Sequence, residues 1–126
     1  MTTTEAFFAD YARAFEAYDA DAITGAFTVP CLFVRDRTTE VRDTEAGVRE
    51  SVEALLKLHR AWDVQKAEPR DVHVLEAAAG HAVVRVDWRL GRKRTRIRWT
   101  FATTYTLVPN GDGWRIASAI THDAPF

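Results

Sequence analysis

The sequence is short of the residues that staple, hinge or insert a protein. It has 1 cysteine in 126 residues, so no disulfide can close within the chain, and a zinc site on paired thiolates is excluded. A lone thiol fits a reducing compartment, and the expected location is cytoplasmic. The 6 glycines and 4 prolines fall at punctuation points, with no linker-like or low-complexity stretch. Apolar runs extend only a few residues, far below a membrane span. The opening Met1-Thr-Thr-Thr-Glu5 is not basic and leads into no apolar run, so no signal peptide is expected. Neither charge sign dominates: 17 Lys+Arg against 18 Asp+Glu leave a formal charge of -1, and no global field draws nucleic acid or an anionic membrane. There is no Gly-rich phosphate loop, no Gly-x-Ser-x-Gly and no His-x-His, and no two histidines stand four apart. Neither a metal nor a cofactor is expected.

What is present is a chain 47% hydrophobic and 28% charged. That supports one domain over residues 1–126 with a core that needs no staple. The period of the apolar residues changes along it: helical in the first half, two in the second. Phe8, Tyr11, Phe15 and Tyr18 form one stripe, predicting a first helix from Thr4 to Tyr18 capped by Thr4. A short second helix is predicted from Asp19 to Phe27, ended by Thr28-Val29-Pro30. Cys31–Arg35 reads as a strand, with a turn at Asp36-Arg37 and a short return at Thr39–Arg42. A third helix starts at Asp43 or Thr44 and carries Val48, Val52, Leu55, Leu56, His59 and Trp62 on one face. Four strands follow at Asp71–Ala77, His81–Leu90, Arg94–Val108 and Trp114–Thr121, with turns at Ala79-Gly80, Gly91-Arg92 and Pro109–Gly113.

A two-residue turn at Gly91-Arg92 sets Trp88 against Thr95, Val86 against Ile97 and Val84 against Trp99. One sheet face is then apolar and aromatic, and the other carries Arg85, Asp87, Arg89, Arg94, Arg96 and Arg98. Asp87 would face Arg96, and Arg89 would face Arg94. Carried across the last turn, the alternation puts Tyr105, Trp114, Ile116, Ser118, Ile120 and His122 on the Trp99 side, with His122 beside Trp99. The arginine-rich face lacks the aromatic platforms of a nucleic-acid surface. It reads as solvated or as a dimer interface.

The order of elements resembles the nuclear transport factor 2-like superfamily, of the SnoaL-like or ketosteroid isomerase-like kind. Two stretches carry the likeness. Tyr11 to Phe27 is similar to the family's first helix and its D-x-D-x-I-x-x-x-F second helix, here Asp19, Asp21, Ile23 and Phe27. Gly113-Trp-Arg-Ile-Ala-Ser-Ala-Ile-Thr-His122 is similar to its last strand. The resemblance implies an α+β cone-shaped half-barrel. A curved antiparallel sheet would carry three N-terminal helices on its concave face around an apolar pocket, and a homodimer would form through the outer sheet face. Laid on ketosteroid isomerases without gaps, Tyr11 falls at the oxyanion-hole tyrosine and Arg35 at the aspartate base. The second oxyanion donor, a protonated aspartate, falls near Thr103–Tyr105, where there is no acid. An arginine stays protonated and cannot be that base, so isomerase chemistry of that kind is not implied.

The catalytic candidates are therefore His122, Tyr11 and Arg35. Imidazole exchanges a proton near neutral pH, a tyrosine hydroxyl donates a hydrogen bond, and an inward arginine needs an internal carboxylate or an anionic ligand. Trp88, Trp99, Tyr105, Phe33 and Trp62 are the candidates to line a pocket for an apolar small molecule. Tyr18 is a weaker candidate of the same kind. His59 reads as a semi-buried histidine satisfied by its surroundings, and Cys31 as a small buried hydrophobe. The expected activity is acid–base chemistry of the isomerase, cyclase or dehydratase type. The alternative is a non-catalytic binding or interaction domain.

Overall fold

The structure is a computed structural model and describes residues 2–126; Met1, part of the one-domain reading, lies outside them. Helix α1 (Thr3–Glu16) starts earlier than the stripe predicts, because Thr2 rather than Thr4 caps it. The Thr2 hydroxyl accepts from the Glu5 N–H at 3.1 Å, and the Glu5 carboxylate accepts from the Thr2 N–H at 3.0 Å. That reciprocal pair satisfies two amides at the helix start. Helix α2 (Ala20–Gly25) is capped by Asp19, whose carboxylate accepts from Ala22 N–H. It ends before Phe27, which already belongs to strand β1 (Phe27–Arg35). Pro30 thus lies inside a strand and not at a helix end. Strand β2 (Thr38–Arg42) turns back antiparallel, and α3 (Glu45–Ala61) follows with Thr44 as its cap.

Strand β3 (Lys66–Ala78) starts sooner than expected and contains Pro69. It is an edge strand, where a missing N–H is tolerated. Strands β4 (His81–Gly91), β5 (Arg98–Asn110) and β6 (Gly113–His122) complete one sheet of order β2-β1-β6-β5-β4-β3. Every neighbouring pair is antiparallel except β1 and β6, which run parallel. The sheet curves around the helices. Phe8 of α1, Ile23 of α2, Val48 and Leu56 of α3 and Val84, Val86, Leu107 and Ile116 of the sheet are fully buried in the space between. This is the expected α+β architecture.

Two registers differ from expectation, with opposite consequences. Between β4 and β5, Trp88 meets Phe101 and Leu90 meets Trp99, because Arg92–Ile97 forms a longer loop. The slide is even-numbered, so every residue still in the strands keeps its face, while Arg94, Arg96 and Ile97 leave the sheet for the loop. Gly91 takes no positive φ. Its missing side chain instead admits Arg98, since a Cβ there would stand 2.8 Å from Arg98 Cδ. The expected Asp87–Arg96 and Arg89–Arg94 neighbours do not form. Asp87 faces Ala102 and Arg89 faces Thr100.

Between β5 and β6 the change is odd. Thr106 pairs with Ser118 but Leu107 pairs with Ile116, so Ala117 is an extra residue in β6. Such a bulge reverses the alternation beyond it. Trp114 and Ile116 stay on the inner side as expected, but Ala119 and Thr121 replace Ser118, Ile120 and His122 there. His122 is not a neighbour of Trp99. It pairs with Ala102, is exposed, and hydrogen-bonds Thr104 Oγ1 at 3.1 Å on the outer face.

Candidate functional site

A cavity of about 340 Å³ opens between the concave face of the sheet and helices α1 and α3. That volume lies in the range of small-molecule sites. Strand alternation decides most of what it meets: Phe33 and Arg35 from β1, with Val34 between them also reaching it, Trp88 and Leu90 from β4, Phe101, Thr103 and Tyr105 from β5, and Ala119 and Thr121 from β6. Helix α1 contributes Tyr11 and Phe15, and α3 contributes Leu55, Leu58 and His59. The wall is apolar with few polar atoms, the usual composition of a binding cavity.

The polar atoms fall in three groups. On one wall, Trp88 Nε1 donates to Tyr105 Oη at 3.0 Å, both residues buried. Tyr11 packs against Trp88 and Tyr105, with ring centroids 6.2 Å from each. Burial pushes both tyrosine hydroxyls above their ordinary range, so they keep their protons and can donate. On another wall stands His59, 5% exposed, with Phe15 at 5.2 Å and Phe126 at 5.7 Å between ring centroids. Burial, helped by the Arg35 charge, pushes this imidazole down to about 4. At neutral pH it is uncharged, with one N–H and one lone pair.

The third group is charged. Arg42 donates to Glu40 at 2.8 Å and to Ser51 Oγ at 2.9 Å, and Glu50 is exposed at the same side. Arg35 is half-buried, with Thr38 and Thr121 as its strand neighbours. It makes no ion pair among the described residues.

Of the sequence candidates, Tyr11, Arg35, Trp88, Tyr105 and Phe33 thus line one cavity. Three do not. His122 faces outward for the reason given above. Trp62 and Trp99 pack edge-to-face at 5.6 Å behind Phe126, whose ring stacks on Trp62 at 5.2 Å. Phe126 meets the cavity in their place. Trp99 sits at the end of β5, beside the long loop, with the Arg92 guanidinium 5.4 Å from its ring centroid. Tyr18 is also elsewhere. Its hydroxyl bonds to the Val64 carbonyl under Arg60. The residue that sequence reasoning undervalued is His59. Its signal was a titratable side chain in the apolar stripe of α3, one turn beyond Leu55 and Leu56.

Outside the cavity, Asp71, His73 and Asp87 bring ligating atoms within 4.8 Å of one another. Both Asp87 oxygens are already engaged, by Arg85 at 3.1 Å and His73 at 3.2 Å. The Arg85 hydrogen bond, with His73 adding to it, holds the Asp87 carboxyl below its ordinary range. A cation there would compete with a guanidinium, and the cluster reads as an ion network.

A family model described as NTF2-like protein (DUF6841) matches residues 2–124. The chain belongs to this NTF2-like family. Solved NTF2-like and similar structures share its fold at low identity. A Mycobacterium tuberculosis protein of unknown function superposes with TM-score 0.75 at 18% identity, over 98% of this chain and 76% of that one. A Nostoc punctiforme protein of unknown function, described as cystatin-like in fold, gives 0.77 at 8%, over 98% and 90%. A Streptomyces avermitilis protein provisionally named a dehydratase of the NTF2-like family gives 0.69 at 13%, over 94% and 92%. No curated protein matches the chain significantly. No helix among the described residues is long and apolar enough to cross a membrane.

Proposed function

We propose that this NTF2-like chain is a single-domain pocket protein that binds a small, largely apolar molecule in the cavity and acts on it by acid–base chemistry. The observation that carries the reading is one largely apolar cavity lined both by a neutral imidazole, His59, and by the protonated hydroxyls of Tyr11 and Tyr105. An apolar body gains from leaving water for such walls. A carbonyl on that body would accept from a tyrosine hydroxyl while the imidazole lone pair takes a proton. His59 takes the role first considered for His122. The chemistry resembles that of the provisionally named dehydratase in kind, and no ketosteroid-isomerase acid is needed for it. Assembly as a homodimer through the outer sheet face, in the cytoplasm, belongs to the same proposal and is checked by light scattering. Neither a cofactor nor nucleic acid enters it.

The neutral ketone 2-acetylnaphthalene tests the reading. It is expected to bind, seen as a change in tryptophan fluorescence from Trp88. Thr121→Phe, which fills the cavity, is expected to abolish binding with the melting temperature little changed. In deuterium oxide the protein should speed exchange of the ketone methyl protons, read by NMR, and His59→Gln should remove that acceleration while binding remains. Binding without exchange favours the alternative, a non-catalytic binding domain. No binding at all overturns the proposal.

A further inference from the structure

The charge inventory of the cavity is unequal. Among its lining residues Arg42 is matched by Glu40 at 2.8 Å and braced by Ser51. Glu50 is exposed to water. Arg35 is half-buried on the inner face of β1, two residues beyond Phe33, whose ring packs 5.1 Å from that of Phe27. No carboxylate stands within ion-pairing distance of it among the described residues. Its neighbours across the strands are the hydroxyl residues Thr38 and Thr121, and both line the same cavity. The nearby imidazole of His59 adds no negative charge.

A guanidinium taken partly out of water is costly unless a counter-charge meets it. Planar carboxylates meet it best, through two parallel hydrogen bonds. Here no internal counter-charge does so. Building on the pocket reading above, we propose that the ligand is an apolar monocarboxylate: its carboxylate pairs with Arg35 between Thr38 and Thr121, and its apolar body extends toward Phe101 and Trp88. One negative charge fits better than two. The cavity offers one unmatched cation, and Glu40 and Glu50 repel a dianion on the same side.

The test compares three probes with one naphthalene body: 2-naphthoate, neutral 2-acetylnaphthalene and dianionic 2-naphthyl phosphate. They are titrated calorimetrically at pH 8, where the acid is ionised. Charge-assisted hydrogen bonds predict that the naphthoate binds at least about tenfold tighter than the ketone. Arg35→Met, which keeps an unbranched apolar stem, should erase that preference by weakening the naphthoate alone. Arg35→Lys should recover part of it. Two results overturn the carboxylate assignment and leave the pocket standing: ketone and naphthoate binding equally, or a preference that survives Arg35→Met. Tighter binding of the phosphate overturns it in favour of a dianion. If none of the three binds, the pocket reading fails and this inference falls with it.

Discussion

The two faces of the sheet are built from alternate residues of the same strands, yet they treat charge in opposite ways. On the outer face several polar groups have partners close by, although one Arg89 nitrogen is buried without one. Arg89 takes Glu68 at 2.9 Å, Asp87 takes Arg85 and His73, Ser118 donates to Thr106 at 2.7 Å, and His122 meets Thr104. The exposed ones, at Asp87 and His122, stand in water, where each is worth little, while Arg89–Glu68 and Ser118–Thr106 are partly buried. On the concave face Val84, Val86 and Leu107 are fully buried, and the polar residues are few. Trp88 and Tyr105 satisfy each other, while Arg35 and His59 look into the cavity without a charged partner. An unmatched cation outside would mean nothing, because water would solvate it. Inside, it points to a ligand.

The sharpest way to break the contrast is to remove an inner side chain. Phe8 is fully buried and packs on Tyr105 at 4.7 Å and Trp88 at 6.4 Å between ring centroids. Phe8→Ala is expected to cost about 3–5 kcal/mol in a urea unfolding titration. A cost near 1 kcal/mol would show that the cavity collapses to fill the gap.

A second effect comes from pH. The His59 imidazole lies at about 4 in the folded protein, against 6.5 when unfolded. The unfolded chain therefore takes up the proton first as pH falls. The neutral imidazole's contribution is present above pH 6.5 and is lost progressively down to pH 4, by roughly 3 kcal/mol. Arg35 lowers the value, while Glu16 of α1 is turned to the Ala67 N–H at 3.0 Å. His59→Leu should flatten stability between pH 4 and pH 6.5, measured by urea titration at each pH. An unchanged slope would place the acid sensitivity elsewhere.

The smallest effect is expected outside. His122→Ala loses one exposed hydrogen bond and should shift stability by less than about 0.5 kcal/mol, with no change in probe affinity. A loss of probe binding would bring β6 back into the site.

How far the sequence could be read follows from what depends on parity. Helical stripes and strand alternation located all the regular elements, and the slide of β5 by an even number of residues left its faces as expected. The candidates on β4 and β5 that line the cavity (Trp88, Tyr105) were legible for that reason, while Arg35 on β1 entered through the family resemblance. The bulge at Ala117 has no such signature, because Trp114 to His122 alternates plausibly in either register, and His122 was misplaced with it. Trp62 and Trp99 were displaced by Phe126, a contact made by a residue outside any periodic pattern. His59 was visible on the right face, but its meaning depends on a cavity that periodicity does not reveal.

The extra residue in β6 also decides which half of that strand's side chains the cavity meets. Kept in a straight strand, Ala117 would turn Ser118, Ile120 and His122 inward in place of Ala119 and Thr121; its deletion would instead set Ser118 directly after Ile116 and leave Ala119 and Thr121 facing the cavity. The bulge is thus what lets the strand end in an imidazole while presenting a small, inert lining to the cavity.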